Sequence, residues 1–600
     1  ETPALPGAAR THQRILGRQR SRRAILRSAL TGVGLAGAFA LACRSESSQT
    51  SDSSTSDAGK TAQDGQPGSR DGLAGRIATE PHGETPARGG TLAWSLGGNP
   101  PSLDPHRGVS VNTTYLASGV MSRLFRLKTS WDPATAYNQE IEPDLALGFE
   151  SPDGLTWTYK LRPDATFHNV APLNGRGVTS EDIKATFVRA VSPTSAHRGA
   201  LLMIDPNKIE TPDSSTVVFK LTDVHAPFPK LMASNTYGWI LPREGAEGVY
   251  DPATKMIGSG PFTFESFQPD VQVTLKRNPG WFEQGRPNVD GVKIAIIPDQ
   301  AQRYAQFTAG NVDALYVAQE DVPTLTSQNP KADIVRTRVS GNGIMYYQLS
   351  EPGSIFQDIR LRQAASLAVD RKAYGNVHFK DGNARTFVVA PNVGKWAVAE
   401  EEVPPETMQW YNADLQRAKQ LMEAAGGSGL SIKMVYAGSS PIDTFLRPTS
   451  ETIHNMLKAL PWEISYVPVD YIREWQGGGK GYGFGGMPAD SMAWWGLSSK
   501  SDVDEYLYAY WHSKSTSSIS RLSDSKLDAM IDKARTIVND DDRLAAYKEV
   551  QTYILANVYC LTGMVNGPNY LFVQPRVRSL TVGDDWGAGA NTWSKLWLAA

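Results

Sequence analysis

"DGLTWTYKLRPDATFHNVAPLNGRGVTSEDIKATFVRA" occupies residues 153–190. Trp157, Tyr159 and Leu161 alternate with polar residues, the pattern of a strand with one face on a core. Thr179 and Asp182 then stand at capping-box spacing, and Ile183 and Phe187 fall one helical turn apart. That pattern predicts a helix over 179–190. "TVVFKLTD" (216–223) repeats the two-residue alternation through Val217, Phe219 and Leu221. A β-rich unit with an intervening helix is therefore expected here.

Outward from this stretch the same two periods recur. "GGTLAWSLGGNPPSLDP" (89–105) opens with a short strand and a Gly/Pro loop. "SGPFTFESFQ", "VQVTLKRNPGW" and "GVKIAIIPD" (259–299) read as strands, and "AQRYAQFTAGNVDAL" (301–315) as a helix ending near Gly310. Beyond Val339, "GIMYYQLSE" (343–351) is a strand. "DIRLRQAASLAVDRKAYG" (358–375) is an amphipathic helix, with Leu361, Ala364, Ala365 and Ala368 on one stripe and Gly375 as its stop. Helices over 412–427, 450–460 and 523–557 alternate with strands at 431–438 and 462–470. Strands alternating with helices imply α/β lobes. No repeat of solenoid length is present.

The bulk numbers set limits. A chain of 600 residues exceeds one ordinary core. Lys and Arg number 60 against 62 Asp and Glu, a net charge of −2, which argues against a nucleic-acid partner. Nine histidines show no metal-ligand spacing. There is no nucleophile elbow or P-loop, and "GGGKGYGFGG" (477–486) lacks a strand–helix frame, so it reads as a loop. Nothing forms a catalytic constellation, so an enzyme, a cofactor and a metal are not expected. Glu181-Asp182 and Asp540-Asp541 sit where helix starts favour acids.

"SRRAILRSALTGVGLAGAFALACRSE" (21–46) carries the other decisive reading. Its uncharged run from Ser28 to Ala42 is shorter than the ~20 residues a spanning helix needs. A basic stretch, a short apolar run and small residues before a cysteine make a secretory signal. Arg22-Arg23 resembles a twin-arginine export motif, and Ala40-Leu41-Ala42-Cys43 resembles a bacterial lipoprotein box. Residues 1–43 are thus expected to be a signal, with Cys43 lipidated. The Ser/Asp/Gly-rich residues 44–88 are expected to be a flexible tether. The second cysteine, Cys560, reads as a small buried hydrophobe. Aromatic residues crowd "SMAWWGLSSKSDVDEYLYAYW" (491–511), as core or as a pocket wall.

Five pieces in order resemble the family 5 extracellular solute-binding proteins of ABC transporters. They are "GGTLAWSL…PSLDP", the 143–190 segment, "GSGPFTFESF…LKRNPGWFEQGRPNVDG", "FQDIRLRQAASLAVDR" and "NDDDRLAAYKEVQTYILAN". The resemblance implies a periplasmic-binding-protein-like type II α/β fold: two lobes with a hinge and an extra β-rich subdomain. It implies lobe I from 89–134, 256–339 and 561–600, the extra subdomain at 135–255 and lobe II at 340–560. It also implies a receptor that closes on an oligopeptide-like solute and delivers it to a permease of an ABC importer. Such a protein is expected to be monomeric, lipid-anchored at the outer face of the cell membrane and free of cofactors. An oligosaccharide receptor, or an adhesin or chaperone on the same fold, are the alternatives.

Tyr346 matches a ligand-lining tyrosine of peptide binders. The aspartate that holds the peptide amino terminus in the family has no counterpart in Gly496–Asp502, where Lys500 or a serine stands instead. Asp502 and Asp504 match the acidic positions that follow. Trp494 and Trp495, and Trp396 in a loop resembling one near the cleft, complete the expected ligand-binding set.

Overall fold

The computed structural model describes residues 85–600 apart from 108–109, 131–138, 194, 196, 338–341, 380–383, 439–442, 478–479, 498–499, 516, 567–568, 584–589 and 600. The signal, Cys43 and the tether as far as residue 84 lie outside the described residues.

Three large cores organise the chain. The first packs against a four-stranded sheet. Thr91–Leu96 runs parallel to Gly291–Ile296, which pairs antiparallel with Gln272–Arg277 and through it with Phe262–Gln268. Leu92, Trp94 and Leu96 face inward, as their alternation requires. A three-stranded sheet adjoins it, with Asn569–Val573 between Ala314–Val317 and Asp333–Thr337. The first core draws on Leu92, Leu275 and Leu598 alike.

The second core gathers residues from Leu124 to Phe282 around an antiparallel sheet of Ala146–Glu150, Thr156–Leu161, Thr216–Leu221 and Ile204–Asp213. Trp157, Tyr159, Val217 and Phe219 are buried on one side, and the Ser180–Ala190 helix buries Ile183 and Phe187. The capping pair forms as the spacing required: the Thr179 N–H donates to Asp182 Oδ2 at 2.9 Å. Asp182 also accepts from Arg176 Nη2 at 2.6 Å, tying the cap to the preceding loop.

The third core spans Ile344 to Met564. Its five-stranded sheet runs Glu463–Asp470, Ser431–Gly438, Ser491–Leu497, Asn342–Tyr347, Cys560–Leu561. The first three strands are parallel and the last two antiparallel. The chain passes from the adjoining three-stranded sheet into this body after Thr337 and returns before Asn569, so two crossings join them. Cys560 is free and buried, as expected, and burial pushes its thiol pKa up.

One expectation fails. The 358–375 segment forms two helices, Ile359–Leu367 and Arg371–His378, with Asp370 capping the second at Ala373 N, 2.9 Å. Gly375 is inside the second helix rather than its stop. A Cβ there would lie 2.7 Å from Val565, so the glycine serves close packing.

Close approach also explains the Gly258-Ser259-Gly260 loop. It runs against the end of the Val111–Val120 helix, where the Gly260 N–H donates to the Val120 carbonyl at 2.9 Å. A Cβ on Gly258 would sit 2.2 Å from that carbonyl oxygen, which no side-chain rotation relieves. Gly258→Ala is expected to destabilise the protein by about 3 kcal/mol in urea unfolding. Gly248→Ala meets open space at φ +84° and should cost about 1 kcal/mol, set by backbone conformation alone.

Candidate functional site

The site lies where the second and third cores meet. It is built from the start of the Val503–Trp511 helix on one side and from residues 225–237 on the other. Asp502 is the helix N-cap and accepts from the Asp504 N–H at 2.8 Å. Its carboxylate also meets Lys230 Nζ at 3.1 Å, from the short helix Phe228–Met232 of the opposite body. The same ammonium lies 4.6 Å from the ring centre of Trp396, with Arg543 at 5.3 Å and Lys395 at 5.7 Å. Trp396 is buried at the end of the Pro391–Trp396 turn, held there by Gln551 Nε2 donating to its carbonyl at 2.8 Å. A tryptophan facing three cations is an electrostatic platform.

Asp504 accepts from Arg535 Nη2 at 2.9 Å and from Tyr547 Oη at 3.0 Å. Burial lowers the Arg535 pKa, but Asp504 outweighs it and the net shift is upward, so the guanidinium stays charged. His225 Nε2 approaches Asp504 at 4.0 Å. Burial, then Arg535, push the His225 pKa well below its usual value, so it faces Asp504 as a neutral ring. Its neighbour Ala226 donates its N–H to the Arg535 carbonyl at 2.9 Å, a main-chain bond between the two bodies. Gly154 completes the close approach, with Val224 2.8 Å and Val538 3.6 Å from where a Cβ would lie.

Lys500 sits beside this pair. Its N–H donates to Tyr506 Oη at 2.9 Å and its carbonyl accepts from Asn392 Nδ2 at 2.9 Å. Asn392 in turn presents its carbonyl to Gln139 of the opposite body at 3.2 Å. Burial lowers the Lys500 pKa, but Tyr237, Tyr510 and Glu505 outweigh it, and the ammonium is hydrogen-bonded to Tyr237.

The remaining candidates belong to the five-stranded sheet. Tyr346 pairs with Ala493 and Ile344 with Trp495, so Tyr346 and Trp495 share a face. The Tyr346 ring stacks on Trp511 at 5.9 Å and lies 6.3 Å from Tyr510, and its buried hydroxyl has no hydrogen-bond partner. Trp495 is half-buried and stacked on Trp475 at 4.6 Å and Tyr471 at 6.2 Å. Trp494 pairs with Met345 and points to the other face. It is wholly buried there, with its Nε1 donating to Thr449 at 3.0 Å and its ring where a Cβ on Gly343 would be.

The structure therefore brings Trp396, Asp502 and Asp504 into one inter-body cluster and puts Tyr346 and Trp495 on one sheet face; Trp494 stands apart. Sequence reading missed Lys230, His225, Tyr237, Arg535 and Glu505. Lys230 lies more than 260 residues from Asp502, and Tyr237 more than 260 from Lys500, and no local pattern marks them. Two surface hollows, about 410 Å³ beside Arg576 and about 520 Å³ beside Thr179, share no lining residue with this cluster. Among the described residues no group of three or more His, Cys, Asp or Glu could hold a metal ion.

Two bodies joined by two crossings, with polar and aromatic groups meeting between them, define a type II periplasmic binding fold. Solved structures share it. The DppA of Helicobacter pylori in complex with the peptide STSA superposes with a TM-score of 0.71 at 20% identity, covering 86% of this chain and 99% of that one. AppA from Bacillus subtilis, in complex with a nonapeptide, gives 0.68 at 20% identity, covering 86% and 100%. The chain belongs to the bacterial extracellular solute-binding proteins, family 5, whose middle region matches residues 140–518. The dipeptide-binding protein of Escherichia coli is 25% identical over 495 residues, 77% of this chain and 86% of its own. Relatives in Brucella, named as peptide-binding proteins of ABC transporters, are 27% identical over 365 residues, 58% of this chain; the match spans 63% of their own length.

Asparagine caps a helix as well as aspartate, so Asp502→Asn isolates the charge. It leaves Lys230 against Trp396 without its carboxylate, a loss of about 3 kcal/mol between the two bodies. X-ray scattering of the variant is expected to show a larger radius of gyration than the wild type; an unchanged profile would mean that the pair does not hold the bodies together.

Proposed function

We propose that this protein is the extracytoplasmic solute receptor of an ABC importer. It takes an oligopeptide-like solute between two closing lobes and delivers it to a membrane permease. The inter-lobe cluster carries this reading. Groups from both bodies converge on one interface, and two chain crossings link the bodies covalently. Binding energy can therefore select the closed arrangement. The names of the Brucella and E. coli relatives, and the peptides bound in the solved structures, support the peptide class. Tyr346 and Trp495 line the solute side of the sheet. Asp502, Asp504 and Trp396 border the site and act mainly through the cations that bridge the lobes. The receptor works as a monomer and needs no cofactor or catalytic step.

Native mass spectrometry of the protein from its own host tests this reading. Co-purifying masses spaced by amino-acid residues are expected; a ladder spaced by hexose units would replace the peptide with an oligosaccharide.

The anchoring proposal rests on Cys43 behind its apolar run. Cys43→Ala is expected to shift the protein from the membrane fraction to the soluble one, and retention in the membrane would refute lipidation at that residue.

A further inference from the structure

The carboxylates at the head of the Val503–Trp511 helix are all engaged. Asp502 meets Lys230, and Asp504 meets Arg535 and Tyr547. Glu505 faces the Ser501 main-chain N–H and Lys500. The cations are not matched as closely in return. Arg543 pairs with Asp540, but among the described residues no carboxylate comes within ion-pair distance of the Lys500 ammonium.

Lys500 is half-buried where the two bodies meet. From the opposite body it is faced by Tyr237, which is hydrogen-bonded to the ammonium, and by His197. Tyr510 and Glu505 face it from the helix of its own body. Burial raises the pKa of the Tyr237 hydroxyl and lowers that of the His197 ring, so both are neutral at pH 7. Burial also pushes the Glu505 pKa up to about 7, so that carboxylate is only partly ionised there. A positive charge held among such groups is unfavourable until an acceptor of full negative charge reaches it. An ammonium has three donors, and Tyr237 occupies one. The others, with the Tyr510 hydroxyl, make a corner of donors.

We propose that this corner receives a carboxylate of the solute, on the Lys500 ammonium with the Tyr237 and Tyr510 hydroxyls beside it. The ligand class is a solute that carries a free carboxylate and needs no free amine there. The proposal rests on the solute-receptor reading above and gives the solute its charge. An amine is disfavoured at the same place, because a second ammonium beside Lys500 is repelled and the nearby carboxylates already have partners. Lys500 and Tyr237 belong to different bodies, so an anion held by both favours the closed arrangement.

The experiment uses the full chain, dialysed free of solute. Two equimolar tripeptide mixtures without acidic side chains are offered separately. One is N-acetylated with a free carboxylate, and the other has a free amine and an amidated carboxyl end. Captured masses are read by native mass spectrometry. The wild type is expected to capture the free-carboxylate peptides at least 10-fold more than the amidated ones. Lys500→Gln should lose that preference, and Lys500→Arg, which keeps the charge, should retain part of it. Equal capture of both mixtures by the wild type, or a preference for the amidated one, would overturn the role of Lys500 while leaving a peptide receptor. Capture of neither would overturn the receptor reading and this proposal with it. The wild-type comparison stands whether or not a variant folds.

Discussion

The interior at the head of the Val503–Trp511 helix must neutralise several carboxylates where water cannot reach. A buried ion pair gains little over an apolar pair, but a buried ion without its partner is strongly unfavourable. One of the required cations, Lys230, belongs to the opposite body. The charge balance of one body is therefore completed by the other. Trp396 gathers cations from both bodies on a single ring and spreads this dependence over a wider area.

The positions of these groups rest on backbone geometry. Lys500 is fixed through its main chain by Tyr506 and Asn392. Arg371 plays a comparable part at the return crossing. It is buried without a carboxylate and donates to the Thr562 and Ser366 carbonyls at 2.7 and 2.9 Å. Burial lowers its pKa to about 10, which still leaves it charged at neutral pH. Those bonds stiffen the chain just before it leaves the lobe.

Much of the fold is legible in the sequence because it follows local periods. The Trp157–Leu161 alternation, the Thr179 cap and the two helices of 523–557 are each set by residues a few positions apart. Gly375 misled because glycine ends helices and also permits tight packing, and only the position of Val565 decides between them. The tryptophan pair shows a subtler limit. Trp494 and Trp495 are adjacent and chemically identical, and strand register alone sends one into the core and leaves the other beside Tyr346. The cluster itself was half visible. Asp502 and Asp504 stand in a readable motif, but Lys230, which meets Asp502, comes from the opposite body.

The strand Asn569–Val573 has a further consequence. It lies between Ala314–Val317 and Asp333–Thr337, and the core it serves runs from Leu92 to Leu598. Just over 500 residues therefore separate the first and last contributors to one packed unit. A ribosome that has made the first lobe's opening segment has not yet made the strand that completes its sheet. The emerging chain must carry an unpaired sheet edge until synthesis is almost finished, the kind of surface that aggregates or binds chaperones. The middle of the chain can settle earlier, because its third core is continuous in sequence from Ile344 to Met564. Maturation should thus be ordered from the centre outward, with the first lobe sealed last.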